Sequence, residues 1–356
     1  MSGPPRVTPR PPTLKDVARA AQVSVATVSH VLNPDSVKFV SPRVRERVLA
    51  AAGQLSYRPN LLARGMRGKG RRALAILIPQ FENFFFTQLV TGAERVAYRH
   101  GYVLLICSTY DDPARERSYI ESLISQQVDG FLLSPTLGGT ANTKVLRERG
   151  VPYAVVDRPL KGFRGEYDFA GFSNREGAVL GTRYLLEKGH RRVAYLGWRT
   201  RLPIMTDRYD GFREEVARWG LPAAEMPAYL RPHTPEEGER LADELFCKGG
   251  LGGATAIFAG HQYLAEGLVV GMRRLGKRAP HDVSLLVYGR PSWTWLVDPP
   301  LTCIKMPDSE IGELGAKMLI DRIERRRDAC EQVWLTASLV EGASVADGPS
   351  GKEMTA

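Results

Sequence analysis

Thr13-Leu-Lys-Asp-Val-Ala-Arg-Ala-Ala-Gln-Val-Ser-Val-Ala-Thr-Val-Ser-His-Val-Leu-Asn33 is the stretch on which the reading of this chain turns. It reads as two short helices joined by a tight turn. Thr13 caps the first helix, and Asp16 three residues on makes a variant of the capping box. Leu14, Val17, Ala18 and Ala21 fall on one helical face. Ser24 caps the second helix, and Asn33-Pro34 ends it. Val28, Val31 and Leu32 give that second helix an apolar side. Its other side offers Val25, Ala26, Thr27, Ser29 and His30. The pattern is a helix-turn-helix whose second helix reads DNA bases. At the turn stands Gln22, where a left-handed backbone costs on the order of 1 kcal/mol for a residue that is not glycine.

Charge points the same way. Residues 1–72 hold 14 Lys and Arg against Asp16, Asp35 and Glu46, so they carry +11 of a chain whose net charge is +10, and the remainder is −1. A basic excess confined to the reading helix and its flanks is the footprint of a phosphate-binding head on a near-neutral body. At 356 residues the chain exceeds one ordinary domain, and 43% apolar content suffices for proper cores. No apolar run approaches the roughly 18 residues that span a membrane, and Met1 to Pro12, with five prolines, lacks the apolar segment of a signal peptide. The four cysteines, Cys107, Cys247, Cys303 and Cys330, form no metal-type pair and suit a reducing cytoplasm. We therefore expect a cytoplasmic, nucleoid-associated protein with no membrane partner.

Leu14-Lys-Asp-Val-Ala18, followed by Val23-Ser-x-x-Thr-Val-Ser-His-Val-Leu-Asn33, resembles the head of the LacI family of bacterial repressors. The resemblance continues through Tyr57-Arg58-Pro59-Asn60 and Ala63-Arg64 to Ser344-Val-Ala-Asp-Gly348. It covers the chain from Thr13 on, which a bland helical hairpin would not. It implies a small all-α helix-turn-helix head on an α/β periplasmic-binding-protein-like body made of two doubly wound parallel-sheet subdomains. The domains expected are a disordered tail 1–12, a DNA-binding head 13–59, a hinge 60–72, a body 73–345 and a disordered tail 346–356. Within the body, one subdomain takes about 73–173 and 305–332, the other about 174–304 and 333–345.

Taken in order, Lys38 lies in the loop after the reading helix as a phosphate contact. Ser41-Pro42 opens a third helix, with Val44, Val48, Ala52 and Leu55 inward and Arg43, Arg45 and Arg47 outward. In the hinge, Leu61, Leu62 and Met66 make an apolar stripe, while Gly65, Gly68 and Gly70 each oppose a helix by about 1 kcal/mol. Composition alone leaves a flexible linker open. The resemblance implies a hinge helix that orders on docking, with Ala63, Met66 and Arg67 in the minor groove and Met66 as the apolar wedge. Thr13, Ser24, Thr27, Ser29, Asn60 and Arg64 are the further backbone contacts, and Val25, Ala26 and His30 the base-reading residues.

From Ala73 the chain alternates short apolar runs with helices. Residues 73–78, 102–106, 129–133 and 153–156 read as buried strands, and 85–100 as a helix. The theme returns at 192–196, 255–259 and 283–287, with an unclear segment near Tyr229. Such alternation implies parallel sheets with helices on both faces. The resemblance places crossings between the halves near Ser173, near Ile304 to Pro307, and near Gln332.

No catalytic constellation is present, so we expect no enzyme and no cofactor. Gly249 to Ala254 is glycine-rich but precedes a strand, whereas a nucleotide fingerprint follows one. His100, His190 and His281 sit beside turn signals and read as solvated. The second site is a cleft between the subdomains. There the resemblance puts Phe85 and Phe86 stacking on a small effector, with Asp157, Arg208 and His233 around it. Sugar-binding relatives carry acids at the positions of Ser173, Gln262 and Gly289. With those absent, and Arg208, His233 and Arg290 present, the balance favours an anion, since Arg bonds carboxylate or phosphate bidentately. The whole reads as a homodimeric regulator, in all expectation a repressor, of a pseudo-palindromic operator. An effector-independent regulator and a solute receptor are the alternatives.

Overall fold

The computed structural model describes residues 10, 12–32, 38–57, 71–160 and 166–349. They divide into two units, one ending at Arg71 and one beginning at Arg72. The hinge positions Asn60, Ala63, Arg64, Met66 and Arg67, and both terminal tails apart from a few residues, lie outside the described residues.

The first unit packs three helices, α1 (Leu14–Ala20), α2 (Val25–Val31) and α3 (Pro42–Gln54). Val17, Ala18, Ala21, Val28, Val31, Val48, Ala51 and Ala52 form its buried core, and Leu14, Leu32, Val44 and Leu55 close its margin. The Asp16 carboxylate accepts from Thr13 N at 2.8 Å and from Thr13 Oγ1 at 2.6 Å, so the acid caps the start of α1 from inside the helix. Ser24 Oγ accepts from Thr27 N at 3.1 Å. Gln22 adopts φ +52°, the left-handed geometry expected of the turn.

The second unit holds two six-stranded sheets. The first, in order β11-β5-β4-β3-β1-β2, is parallel throughout and uses β1 (Ala73–Ile78), β2 (Val103–Ser108), β3 (Gly130–Leu133), β4 (Tyr153–Val156), β5 (Asp168–Phe172) and β11 (Gln332–Leu335). Its helices are α4 (Phe84–Arg99), α5 (Pro113–Ser125), α6 (Thr140–Glu148) and α11 (Asp308–Ile323). The second sheet runs β12-β10-β9-β8-β6-β7, from β6 (Val193–Trp198), β7 (Ala228–Arg231), β8 (Ala256–Ala259), β9 (Ser284–Tyr288), β10 (Thr302–Lys305) and β12 (Ser338–Val340). It is covered by α7 (Asn174–Glu187), α8 (Pro203–Arg218), α9 (Pro235–Cys247) and α10 (Gln262–Arg274). This sheet is not wholly parallel: β12 pairs antiparallel to β10.

Helix pairs in both lobes meet backbone to backbone. A Cβ on Gly312 of α11 would lie 1.9 Å from the Leu89 carbonyl oxygen of α4, and one on Gly267 of α10 would lie 1.7 Å from that of Pro235 in α9. Only glycine permits approaches this close.

Three expectations need correction. The strand expected at 102–106 is not buried: β2 is the outer strand of its sheet, and Val103 and Ile106 are exposed. The third crossing does not fall near Gln332, because residues 332–335 pair with β5 as β11; the chain crosses between Leu335 and Ser338. His190 is buried rather than solvated, its Nδ1 2.8 Å from Thr255 Oγ1 and its Nε2 3.1 Å from the Ala346 carbonyl oxygen. Burial pushes its pKa down from the usual histidine value. His100 is half-buried, with Nδ1 2.9 Å from the Val96 oxygen, and His281 is exposed.

Candidate functional sites: reading helix and inter-lobe cleft

The outward face of α2 carries Val25, 40% exposed, and Ala26, also exposed, at its first turn. Thr27, Ser29 and His30 are half-buried along the same helix. Ser24 Oγ and Thr27 Oγ1 lie 2.9 Å apart at the helix start, and Lys38, Arg43, Arg45 and Arg47 are exposed. Two short apolar side chains flanked by hydroxyls and cations can touch base methyls while the flanks hold phosphates.

The cleft lies where strands of the two sheets end. Residues just after the carboxyl ends of β1, β2, β4, β6, β8 and β9 supply Pro79, Asp111, Asp157, Arg158, His261 and, within the strands themselves, Trp198 and Tyr288. Ligands of open α/β sheets bind at such ends. An inner cavity of about 50 Å³ is lined by Phe85, Phe86, Asp157, Arg208 and His233, five of the six cleft residues expected. Arg290 is not among them: its guanidinium lies 5.0 Å from the Trp295 ring centre and lines neither this cavity nor its neighbour. Stacking on a nearby indole holds it there.

Asn83 caps α4 through Phe85 N at 3.0 Å and so fixes Phe85 and Phe86 at the first turn. The same Asn83 Oδ1 accepts from Gln262 Nε2 at 2.8 Å, a hydrogen bond between the lobes. Arg208, 5% exposed, donates from Nε to Asn174 Oδ1 and from Nη1 to the Gly260 oxygen, both at 2.8 Å, and lies 3.9 Å from the Tyr288 ring centre. His233 lies against Trp198 with ring centres 3.7 Å apart and the rings tilted by 35°.

Burial displaces the titration of Asp157, His233 and His261. Burial raises Asp157 to about 6 against the pull of Arg158 and Arg208, and Ser134 Oγ donates to it at 3.2 Å. Burial lowers His233, and lowers His261 far below its usual range. Both shifts favour the neutral imidazole, so His233 brings less positive charge to the cleft than an ordinary histidine. Arg158 donates to Asp111 through both terminal nitrogens and lies 3.6 Å from Asp157. Tyr110, Asp111 and Asp157 hold left-handed backbones, with φ of +52°, +55° and +65°. Strain of this kind gathers at functional sites.

Trp198, His261, Asn83 and Arg158 were not singled out by sequence reasoning. For Trp198, His261 and Arg158 a position at a strand end was the available signal, and for Asn83 its place as the cap before a helix. Gly289 takes φ +110°, and a Cβ there would meet Gln262 Oε1 at 3.3 Å, so the backbone itself disfavours any side chain at this position. Among the described residues, no helix is long and apolar enough to cross a membrane, and no cluster of His, Cys, Asp and Glu is arranged to hold a metal ion.

Comparison with known proteins places these features. Residues 13–60 match the family described as bacterial regulatory proteins, lacI family, and residues 182–345 match the periplasmic binding protein-like domain. The HTH-type transcriptional repressor PurR of Yersinia pestis is 30% identical over 339 residues, which cover 95% of this chain and 98% of that protein. A LacI family regulator from Enterococcus faecium with bound ribose is 26% identical, with TM-score 0.69 over 78% of this chain and 100% of that one. The lac repressor dimer bound to operator and the anti-inducer ONPF is 22% identical, with TM-score 0.82 over 95% and 100% of the two chains, a likeness of fold. A capped helix-turn-helix on a two-lobed α/β body, matched along nearly its whole length to a repressor of the same build, identifies this chain as a member of the LacI family of bacterial regulatory proteins.

Proposed function

We propose that the protein is a cytoplasmic, homodimeric repressor of transcription whose grip on a pseudo-palindromic operator is set by a small molecule held between its lobes. The observation that carries this is the exposed face of α2, capped by Ser24, on the unit that holds the chain's entire basic excess. In this reading Val25 and Ala26 touch base methyls and His30 reaches a guanine edge. Thr13, Ser24, Thr27, Ser29 and Lys38, with Asn60 and Arg64, hold the sugar-phosphate backbone. Ala63, Met66 and Arg67 enter the minor groove. Phe85, Phe86, Asp157, Arg208 and His233 hold the effector, and Arg290 stands outside that set.

Differential affinity of the effector for open and closed lobes then biases whether the paired hinges order on DNA. The exposed apolar side chains Tyr98, Val103 and Ile106, on and beside the outer strand β2, support a second copy of the chain as the partner at that sheet margin. Selection of bound DNA from a random pool, with and without cell extract, tests the reading. Recovery of one palindromic sequence whose yield responds to extract supports it. Binding without sequence preference refutes it.

A further inference from the structure

The inner end of the cleft contains a cation with no directly paired anion. Arg208 donates to two neutral oxygens, its Nη2 lies 3.6 Å from the Met306 sulfur, and no carboxylate oxygen of the described residues comes within 4.0 Å of it. A buried guanidinium so placed is costly unless a counter-charge arrives. The nearby acids are engaged elsewhere: Asp111 and Asp157 both lie against Arg158. Gln262 Oε1, in the same cavity, is buried and has no hydrogen-bond partner, so it lacks an N–H or O–H.

A second cavity of about 290 Å³ adjoins the first, and Arg158 and Ile204 line both. Its walls are chiefly Pro135, Leu137, Pro159, Leu160, Leu202 and Ile204. The two cavities are successive stations on the same elements. Ile204 and Arg208 lie four residues apart on α8, one turn apart on one face. On the facing lobe the chain runs from Asp157 in the inner cavity to Pro159 and Leu160 in the outer one. The charged and amide side chains are thus gathered at the first cavity, beside Phe85, Phe86, Trp198 and Met306, and the second is mainly proline, leucine and isoleucine.

We propose that the effector is an amphipathic monoanion: a carboxylate bound by Arg208, with an adjacent hydroxyl or N–H for Gln262 Oε1, and an apolar body in the outer cavity. The proposal rests on the cleft being the effector site. Thr136, Thr140 and Arg158 are the polar exceptions in the outer cavity's wall, and an alkyl or aryl chain gains from burial against the remaining proline, leucine and isoleucine.

The test uses the full chain and a ladder of 2-hydroxycarboxylates of increasing chain length, with the matched diols, ribose and cellobiose as comparators. Thermal shift and calorimetry are read alongside operator binding. Each added methylene should tighten binding by about fourfold until the outer cavity is full. Each diol should bind at least about tenfold more weakly than its acid. Leu137→Ser, at a position 48% exposed and so tolerant of change, should flatten the chain-length dependence. Arg208→Lys, which keeps the charge and loses the fork, should weaken every acid by a similar factor. Neutral sugars bound equally by the parent and Leu137→Ser, with acids inert, would overturn the proposal and leave the cleft as effector site. Acids bound with no dependence on chain length would also overturn it. No response to any ligand, with operator binding intact, would overturn the effector reading itself.

Discussion

Replacing Asp157 with asparagine should change the slope of stability against pH. Asp157 is buried, and burial raises its pKa from 3.8 to about 6. In the unfolded chain the same carboxyl titrates near its ordinary value, about 3.9. Between those two values the folded form keeps a proton that the unfolded form has released. Stability is therefore greatest below about pH 4 with respect to this group, falls as pH rises through about 6, and then levels off. Two pKa units at about 1.4 kcal/mol each set the loss at roughly 3 kcal/mol. The amide of the Asp157→Asn variant has no such proton to lose, and its oxygen can still accept from Ser134. The variant should therefore gain on the parent by about 2–3 kcal/mol between pH 4 and pH 7, whatever their difference at the acid end. Asp308, also raised to about 6 by burial, titrates in both proteins and cancels from the comparison. All five tryptophans, Trp198, Trp219, Trp293, Trp295 and Trp334, lie in the body, so urea unfolding followed by tryptophan fluorescence reads that unit alone. Parallel curves with a constant gap would show that Asp157 ionises at its ordinary value, and the burial argument would fail.

Three further outcomes are expected. His30→Ala should weaken operator binding by about 1–3 kcal/mol and relax one position in each half-site; uniform weakening across all sequences would reduce His30 to a phosphate contact. Met66→Gly should abolish operator bending and most specific affinity while sparing effector binding, and a gel-mobility bending assay that shows no change would remove Met66 as the wedge. Light scattering should give a dimer at micromolar concentration; a tetramer or a monomer would contradict this.

The head was legible because each local cue agreed with the next: two caps, one apolar stripe per helix, and a turn that needs one left-handed residue. The inner strands were legible as apolar runs bounded by turn residues. Edge strands were not. β2 is as apolar as its neighbours yet lies at the sheet margin, and β11 mixes Gln332 and Trp334 into a run with no clear alternation. β5 opens on Asp168, whose buried carboxylate accepts from Arg322 at 2.6 Å and Arg327 at 2.7 Å. Pairings between segments so distant along the chain leave no periodic mark. The same holds for His190, whose partners Thr255 and Ala346 are far off in sequence. In the cleft, Arg208 and the two phenylalanines followed from family resemblance. The Trp198–His233 pair and the Asn83–Gln262 bond across the lobes depend on two chain segments converging, which no single stretch records. Arg290 misled because a charge next to a strand end was read without the Trp295 indole that holds it.

The glycine contacts of Gly312 and Gly267 have a mechanical consequence. At those two points no side-chain rotamer stands between the helices to absorb displacement, although Leu89 and Ile311, or Leu241 and Leu268, pack beside them. Such contacts favour each lobe moving as a stiff lever about the segments of chain that cross between lobes. A small shift at the cleft is therefore carried to the far end of the lobe with little attenuation. A methyl group added at either glycine would put slack or distortion into the lever itself, so that a ligand could be held while its message was lost in transit.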